Sequence, residues 1–227
     1  MQTWMSRHGA TDRMPRHRHV ESYAAVVLEG GYVEAGDRGR IRVQPGQVVV
    51  HEAYEAHQDH FARGGALVLN IPSIENLDVI TGSVSDADAI ARLAARDIVE
   101  AAALLKETIR PLDARFADWP DSLAVALASP GEFSIEEWAA EMGLAPQSIS
   151  RGFRQVYGVT PKRYRMEQRA LRAIRNLRTW AGTLAGLAAE VGFSDQAHLT
   201  RAVVAVTGSA PQRLRVKSVQ ERTGACR

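Results

Sequence analysis

Residues 133–158, FSIEEWAAEMGLAPQSISRGFRQVYG, decide how the second half of this chain folds. Ser134 opens a run of periodic apolar residues, and Glu137 follows at the spacing of a capping box, which marks a helix start. Gly143 accepts left-handed backbone, so it ends that helix and turns the chain. Pro146 begins a second helix where its missing N–H loses no hydrogen bond. The segment therefore predicts two short helices joined by a tight turn.

A second segment of the same design lies further along the chain. Residues 183–191 predict a helix, Gly192 a turn, and residues 195–206 another helix. Between the two pairs, Pro161–Leu177 has apolar side chains at helical spacing and many arginines on its other side, which predicts a long amphipathic helix. Two helices that meet across a glycine turn form a helix-turn-helix. Residues 131–227 are therefore predicted to form an all-α domain with two helix-turn-helix units.

The second helix of each pair carries polar and basic side chains opposite its apolar positions. Arginine suits guanine or phosphate, and glutamine suits adenine in the major groove. The sequence therefore predicts DNA-contacting residues on both helices: Gln147, Ser148, Ser150, Arg151 and Arg154 in the first unit, and Gln196, His198, Thr200 and Arg201 in the second.

The charge distribution agrees with a polyanionic partner for this half. Residues 131–227 carry 15 Lys and Arg against 8 Asp and Glu, a balance of +7, whereas residues 1–130 carry 13 against 18, a balance of −5. A basic half joined to an acidic half indicates that only one half meets nucleic acid.

The first half has a β pattern. Short strands are predicted at 23–28, 40–43, 47–50 and 66–71, with Gly- or Pro-containing turns at 29–31, 36–39, 45–46 and 63–65. This spacing indicates a sandwich or barrel, so residues 1–82 are expected to form a β-barrel. In residues 83–130, apolar residues from Ile90 to Ile109 recur at helical spacing and predict one helix, capped by Ser85 or Asp86 and ended by Pro111. These residues are expected to form a helical linker, and the fold class is α+β with two domains.

Histidines are concentrated in the β region: six of the seven lie in the first sixty residues. Strand alternation places His17, His19, Glu21 and Tyr23 on one side of a single strand. Such a cluster fits either the lining of a pocket for an organic effector or the ligands of a metal ion. The predicted pocket residues are Tyr23, Glu21 and His51.

The helical half resembles the arabinose-operon-regulator (AraC-type) family. The resemblance rests on SRGFR at 150–154, GVTPKRY at 158–164, LAAEVGFSDQ at 187–196, LTR at 199–201 and GSAP at 208–211. It implies that one connecting helix holds two recognition helices in successive major grooves, about 34 Å apart. It also assigns base reading to Gln147, Ser150 and Arg151, and to Gln196, Thr200 and Arg201. Residues 202–205, AVVA, lack the aromatic and basic residues that the family usually has there, which implies weaker contacts between the second unit and DNA phosphates.

Residues 10–72 resemble a cupin barrel, which AraC-type proteins often carry as their effector-binding half. The resemblance rests on His17 and His19, on the Pro-Gly at 45–46, and on the later His57. It implies that these three histidines could hold a divalent metal such as zinc, nickel, iron or manganese. The glutamate of the cupin motif is absent, because that position is Ala24, so Glu21 or His51 would have to replace it.

These features together predict a transcription regulator, not an enzyme, whose DNA binding is controlled by a small ligand or metal in the barrel. The expected partners are double-stranded DNA, the effector and a second copy of the chain, which would dimerise through residues 83–130; the resemblance also allows RNA polymerase. The alternatives are a metal-dependent cupin enzyme fused to a DNA-binding domain, and an architectural DNA-binding protein without an effector.

A cytoplasmic location is expected from three sequence features. Cys226 is the single cysteine, so no intrachain disulfide can form. The N-terminus has no apolar core of the signal-peptide type, and no apolar run is long enough to cross a bilayer.

Overall fold

The computed structural model describes residues 4–72, 77 and 79–215, so Cys226 lies outside the described residues. The chain divides into two compact units. Unit 1 comprises residues 1–121 and 156–158, and unit 2 comprises residues 122–155 and 159–227. Unit 1 contains an antiparallel sheet and two helices, and unit 2 is helical, which confirms the mixed α+β class.

All strands of unit 1 pair antiparallel in one sheet. The sheet order is β1-β6-β3-β5-β7-β8, with β2 also paired to β6 and β4 to β3. Among the described residues this path does not return to its first strand, so the sheet is open and the predicted closed barrel is not formed. The strands are β1 Met5–His8, β2 Arg13–Arg18, β3 Tyr23–Gly36, β4 Gly39–Val43, β5 Gln47–His51, β6 Ala56–Pro72, β7 Thr81–Ser83 and β8 Arg110–Pro111.

Two of the predicted turns are wrong. The Gly-containing segments at 29–31 and 63–65 lie inside the long strands β3 and β6 and do not end them. The pairing of these strands shifts register between Val27 and Glu29 and again between Gly30 and Tyr32, as at β-bulges. In these two segments glycine marks an irregularity within a strand and not a turn between strands. Only the pairing with the neighbouring strand distinguishes the two cases. The predicted turns at 36–39 and 45–46 are confirmed.

Gly30 is the position in the sheet where a side chain would be least tolerated. Its φ is +70°, and an added Cβ would lie 2.0 Å from the carbonyl oxygen of Gly65 on the adjacent strand. We expect Gly30→Ala to lower the free energy of unfolding by about 2 kcal/mol or more, because both the left-handed backbone and the clash with main-chain atoms oppose it.

Urea denaturation followed by circular dichroism measures this loss. Gly64→Ala is the matched control, because a Cβ there meets no atom within 4 Å. Equal midpoints for the two variants would contradict the expectation.

The stretch from Ile90 to Ile109 contains two helices where the sequence predicted one. Helix α1 spans Ala87–Ala94 and α2 spans Ile98–Thr108. Asp86 caps α1 as predicted, and Asp97 caps α2 by accepting hydrogen bonds from the backbone N–H groups of Val99 and Glu100. The helical spacing continues across the break because both helices turn their apolar side chains to the same surface.

Both helices pack on the sheet of unit 1. One core cluster joins strand residues such as Val26 and Ile71 to Ile90 of α1 and Leu105 of α2. The alternate strand residues, such as Val27 and Phe61, form a second cluster on the other face. The apolar stripe of α1 and α2 is therefore used inside its own unit, and dimerisation through residues 83–130 stays a prediction.

Most helices of unit 2 match the sequence prediction. They are α4 Ile135–Glu141, α5 Pro146–Tyr157, α6 Pro161–Leu177, α7 Leu184–Glu190 and α8 Gln196–Thr207, preceded by α3 Trp119–Ala128. The side chains of Ser134, Thr160, Thr183 and Asp195 cap α4, α6, α7 and α8. Among the described residues, no helix combines the length and apolar character needed to cross a bilayer.

Candidate functional site

The two glycine turns of unit 2 have the same geometry. Gly143 and Gly192 have φ of +64° and +84°. The N–H of each residue that follows bonds back to the preceding helix, from Leu144 to Ala139 O at 2.9 Å and from Phe193 to Ala188 O at 2.8 Å. This is the hydrogen bond of a Schellman helix end, and it directs the chain into the next helix. Helices α4 and α5, and α7 and α8, are thus joined by equivalent turns.

Helix α6 carries packing contacts for both pairs. Phe153 of α5 is fully buried and meets the ring of Tyr164 edge to face, with centroids 5.4 Å apart. Helix α8 packs along α6 through buried residues such as Leu199 and Val203. Apolar burial on one side of α5 and of α8 leaves the opposite side of each helix to solvent.

The predicted DNA-contacting residues lie mainly on these solvent sides. Arg151 and Arg201 are exposed, and neither makes a hydrogen bond or ion pair with the described part of the chain. The other exposed members of the set are Gln147, Ser148, Ser150, Arg154 and Gln196. Unpaired guanidinium groups on a helix surface can meet base edges or phosphates without breaking an existing contact.

His198 and Thr200 are only partly exposed. His198 Nδ1 lies 3.2 Å from Ser194 Oγ, and its ring packs edge to face on Phe193. Asp195 accepts a hydrogen bond from the backbone N–H of His198, which together with Ser194 Oγ lowers the pKa of this carboxyl group. His198 thus has a structural role at the start of α8, and its predicted DNA contact stays a prediction.

Several arginines of α6 are engaged within unit 2. Arg163 pairs with Glu167 at 2.8 Å. Arg165 donates to the carbonyls of Phe133 and Gly131 at 2.8 and 2.9 Å, and Arg172 donates to Ala128 O. The arginine-rich surface of α6 therefore also holds the segment that connects α3 to α4.

Unit 1 contains a cavity of about 530 Å³. Its walls include imidazole rings, phenol rings and a few neutral polar groups, and this volume is in the range of small-molecule sites. The cavity is lined by Ser6, His8, Met14, His17, His19, Val20, Glu21, Ser22, Tyr23, Ala25, Tyr32, His51, His57, Asp59, Phe61, Val68, Asn70 and Pro72. All the residues that the sequence assigned to the metal or the effector are in this wall.

The sequence predicted that His17, His19, Glu21 and Tyr23 share one strand, but the structure places them on two strands and the segment between. His17 lies at the end of β2, whereas Tyr23 begins β3, and Glu21 is exposed between the two strands. The convergence comes from cross-strand pairing, because His17 is opposite His57 and Tyr23 is opposite His51. His17 and His57 have ring centroids 4.3 Å apart.

The structure places the three predicted metal ligands close together. One ligand atom from each of His17, His19 and His57 lies within 4.8 Å of the others. His17 Nδ1 is 3.0 Å from Pro15 O, a contact that would turn its Nε2 lone pair to a ligand. His19 Nε2 is buried without a hydrogen-bond partner among the described residues, so its lone pair is unused.

Two carboxylates that sequence reasoning missed lie against His57. Its Nδ1 is 3.1 Å from Asp59 Oδ1 and 3.4 Å from Glu34 Oε2, and its Nε2 is 3.0 Å from Tyr23 Oη. Asp59 could have been inferred, since it follows His57 by two residues on the same strand face. Glu34 had no such signal, because only the pairing of β3 with β6 places it opposite Asp59.

Burial and these carboxylates separate the pKa values of the imidazoles. Burial would lower the pKa of His57, but the carboxylates of Glu34 and Asp59 raise it to about 10. Burial, with His57 and His17 nearby, lowers the pKa of His19 to about 4. Burial also raises the pKa of Glu34 and lowers that of His51. At neutral pH His19 and His51 are therefore neutral and can offer lone pairs to a ligand.

The helical half of the chain matches a known protein family model. Residues 138–217 match a family model described as a helix-turn-helix domain. The arabinose operon regulatory protein of Salmonella typhimurium is 28% identical over 162 residues, covering 71% of this chain and 55% of that protein. The Escherichia coli protein of the same name is 29% identical over 161 residues, covering 71% and 53%. The chain thus spans about half the length of the curated relatives it matches.

Solved structures give weaker similarities. The DNA-binding domain of AdpA, a global transcriptional factor in complex with a target DNA, covers 47% of this chain and 98% of its own, with a TM-score of 0.43 at 27% identity. ToxT of Vibrio cholerae covers 93% and 95%, with a TM-score of 0.42 at 8% identity. This chain is therefore similar to a helix-turn-helix domain over residues 138–217, and to the arabinose operon regulatory proteins over 71% of its length.

Proposed function

We propose that this chain is a sequence-specific DNA-binding transcription regulator with two helix-turn-helix units, controlled by a ligand in a cupin-like sensor half. The observation that carries the proposal is the repeat within unit 2: two glycine turns with the same hydrogen bonds, each followed by a helix with an exposed arginine, Arg151 or Arg201. The helix-turn-helix match and the similarity to arabinose operon regulatory proteins support the same function.

The proposed mode of DNA binding follows from the exposed side chains. Helices α5 and α8 each enter a major groove, where Arg151 and Arg201 can bond guanine and Gln147 and Gln196 can bond adenine. Helix α6 contacts both pairs and holds them as one body, as two successive grooves on one face of the duplex require. The resemblance to AraC-type proteins also implies two protein partners, a second copy of the chain and RNA polymerase, and we include both in the proposal.

The proposed control site is the cavity of unit 1. His17, His19 and His57 could hold a divalent metal there, which would supply a fixed positive charge and draw the three rings together. An organic effector could instead stack on the aromatic wall, with Tyr23 and Asn70 as polar contacts. Either occupant would control DNA binding by favouring one packing of the protein over another.

Selection of genomic fragments by the full-length chain tests the proposal. We expect a selected fragment to bind at least about 1,000-fold more tightly than a scrambled duplex of the same composition, with an affinity that falls steeply as salt rises. Elemental analysis and native mass spectrometry of the same preparation then identify what the cavity retains. Equal affinity for all duplexes would contradict sequence-specific regulation and favour an architectural role.

A further inference from the structure

A second cluster of potential ligands lies beside the predicted one. Glu34 on β3, His51 on β5 and His57 on β6 are 4%, 4% and 5% exposed. One ligand atom from each lies within 4.8 Å of the others. The cluster shares His57 with the sequence-predicted set but replaces two partly buried imidazoles with a buried carboxylate and a buried imidazole.

The donor spacings match those of a small divalent ion. Glu34 Oε2 is 3.4 Å from His51 Nε2 and 3.4 Å from His57 Nδ1. In tetrahedral coordination with bonds of about 2.0–2.1 Å, neighbouring donor atoms are about 3.3–3.4 Å apart. The three donor atoms could therefore bind such an ion with little movement, and binding would release a proton from His57.

Two of the three donor atoms have only ion-pair contacts within the cluster. Glu34 Oε2 and His51 Nε2 are buried and form no hydrogen bond of good geometry with the described residues, although Glu34 Oε2 lies 3.4 Å from His51 Nε2 and from His57 Nδ1. Buried polar atoms nearly always have a partner, so each exception calls for a ligand, an ion or a compensating role. Here the two atoms lie 3.4 Å apart, and both are within 4.8 Å of the His57 donor atom.

Charge also favours this cluster over the set of three histidines. A ligand carboxylate offsets part of the charge of a divalent cation, whereas three neutral imidazoles do not. Glu34 supplies a ligand carboxylate, and Asp59 lies beside His57 as a second one. Asp59 contacts His57 Nδ1, and the ion would replace that contact. The other ring nitrogen, His57 Nε2, lies 3.0 Å from Tyr23 Oη and could donate its N–H to that oxygen.

We propose that Glu34, His51 and His57 form a binding site for a divalent cation of the zinc type, with a fourth position reached from the cavity that His51 and His57 also line. His17 and His19 are then left to contact a second ligand or water in the cavity. The inference rests on the proposed function only in taking this cavity as the control site.

Zinc titration of the chelator-treated, full-length chain by calorimetry tests the assignment. Glu34→Gln and His51→Asn are expected to weaken Zn²⁺ binding by about tenfold or more, and by clearly more than His17→Gln or His19→Gln, whose rings are not ligands in this cluster. Co²⁺ provides a second readout, since its visible absorption should persist in the His17 and His19 variants and be lost in the Glu34 variant. Circular dichroism of the cation-free variants verifies folding, and Glu34→Gln retains the shape of the side chain.

The reverse pattern, equal losses in all four variants, or no Zn²⁺ binding by the wild-type chain would overturn the inference. The DNA affinity of the wild-type chain with and without Zn²⁺ is measured separately. Zinc binding with the expected variant pattern but no change in DNA affinity would support the site and contradict control by this ion.

Discussion

Alanine at Arg151 or at Arg201 is expected to weaken specific DNA binding by about tenfold to a hundredfold in each variant, which is the loss of one bidentate contact to guanine. Both side chains are exposed and make no hydrogen bond or ion pair with the described part of the chain, so their removal should leave the fold unchanged. Fluorescence anisotropy with the selected fragment and its scrambled form measures the change.

The control for this prediction is Arg96→Ala, which removes the same charge from an exposed position in unit 1. A base contact and a phosphate contact can be distinguished. Loss of a phosphate contact weakens binding to both duplexes, and it lowers the slope of the logarithm of the binding constant against the logarithm of the salt concentration by about one. Wild-type affinity in both the Arg151 and the Arg201 variants would show that these helices do not contact DNA as proposed.

Phe153→Ala is expected to destabilise unit 2 by about 3–5 kcal/mol, because it removes a fully buried ring and leaves a cavity. The loss includes the edge-to-face contact with Tyr164 at 5.4 Å. A domain of this size has a total stability of about 5–15 kcal/mol, so the variant should lose much of its helical structure at moderate urea and, with it, DNA binding.

Urea denaturation followed by far-ultraviolet circular dichroism measures the effect. Gln155→Ala, two residues further along the same helix and exposed, should leave the midpoint unchanged. If Phe153→Ala unfolded at the same urea concentration as this control, the packing of α5 on α6 would not contribute to the stability of unit 2.

The strand predictions show where sequence reasoning reached its limit. Periodicity placed strands at 23–28 and 66–71, but the structure extends them to Tyr23–Gly36 and Ala56–Pro72. Gly30 and Gly65 both have positive φ, as they would in a turn, yet they lie inside two long strands, at a point where the pairing of those strands shifts register. Local sequence cannot separate these two uses of glycine, because a bulge is defined by its partner strand.

The candidate ligand site also contains residues that the sequence could identify and one that it could not. His17, His19 and His57 could be chosen from the sequence because imidazoles are recognisable ligands and the resemblance supplied their spacing, and His51 could be chosen as a replacement for the absent glutamate. Glu34 could not be chosen, since its importance comes from its position opposite Asp59 and within 3.4 Å of two imidazoles. Glu21, selected from strand alternation, is exposed instead.

The sequence by itself determined the helical half, because caps, glycine stops and a 3.6-residue period act within a few residues of one another along the chain. The boundaries of α5 and α6 and the exposure of Arg151 and Arg201 follow from those local signals. Only the tertiary structure decided that the sheet is open, that α1 and α2 pack on it, and that Glu34 meets His51 and His57. These features depend on strand register between residues far apart in the chain, which no short-range pattern specifies.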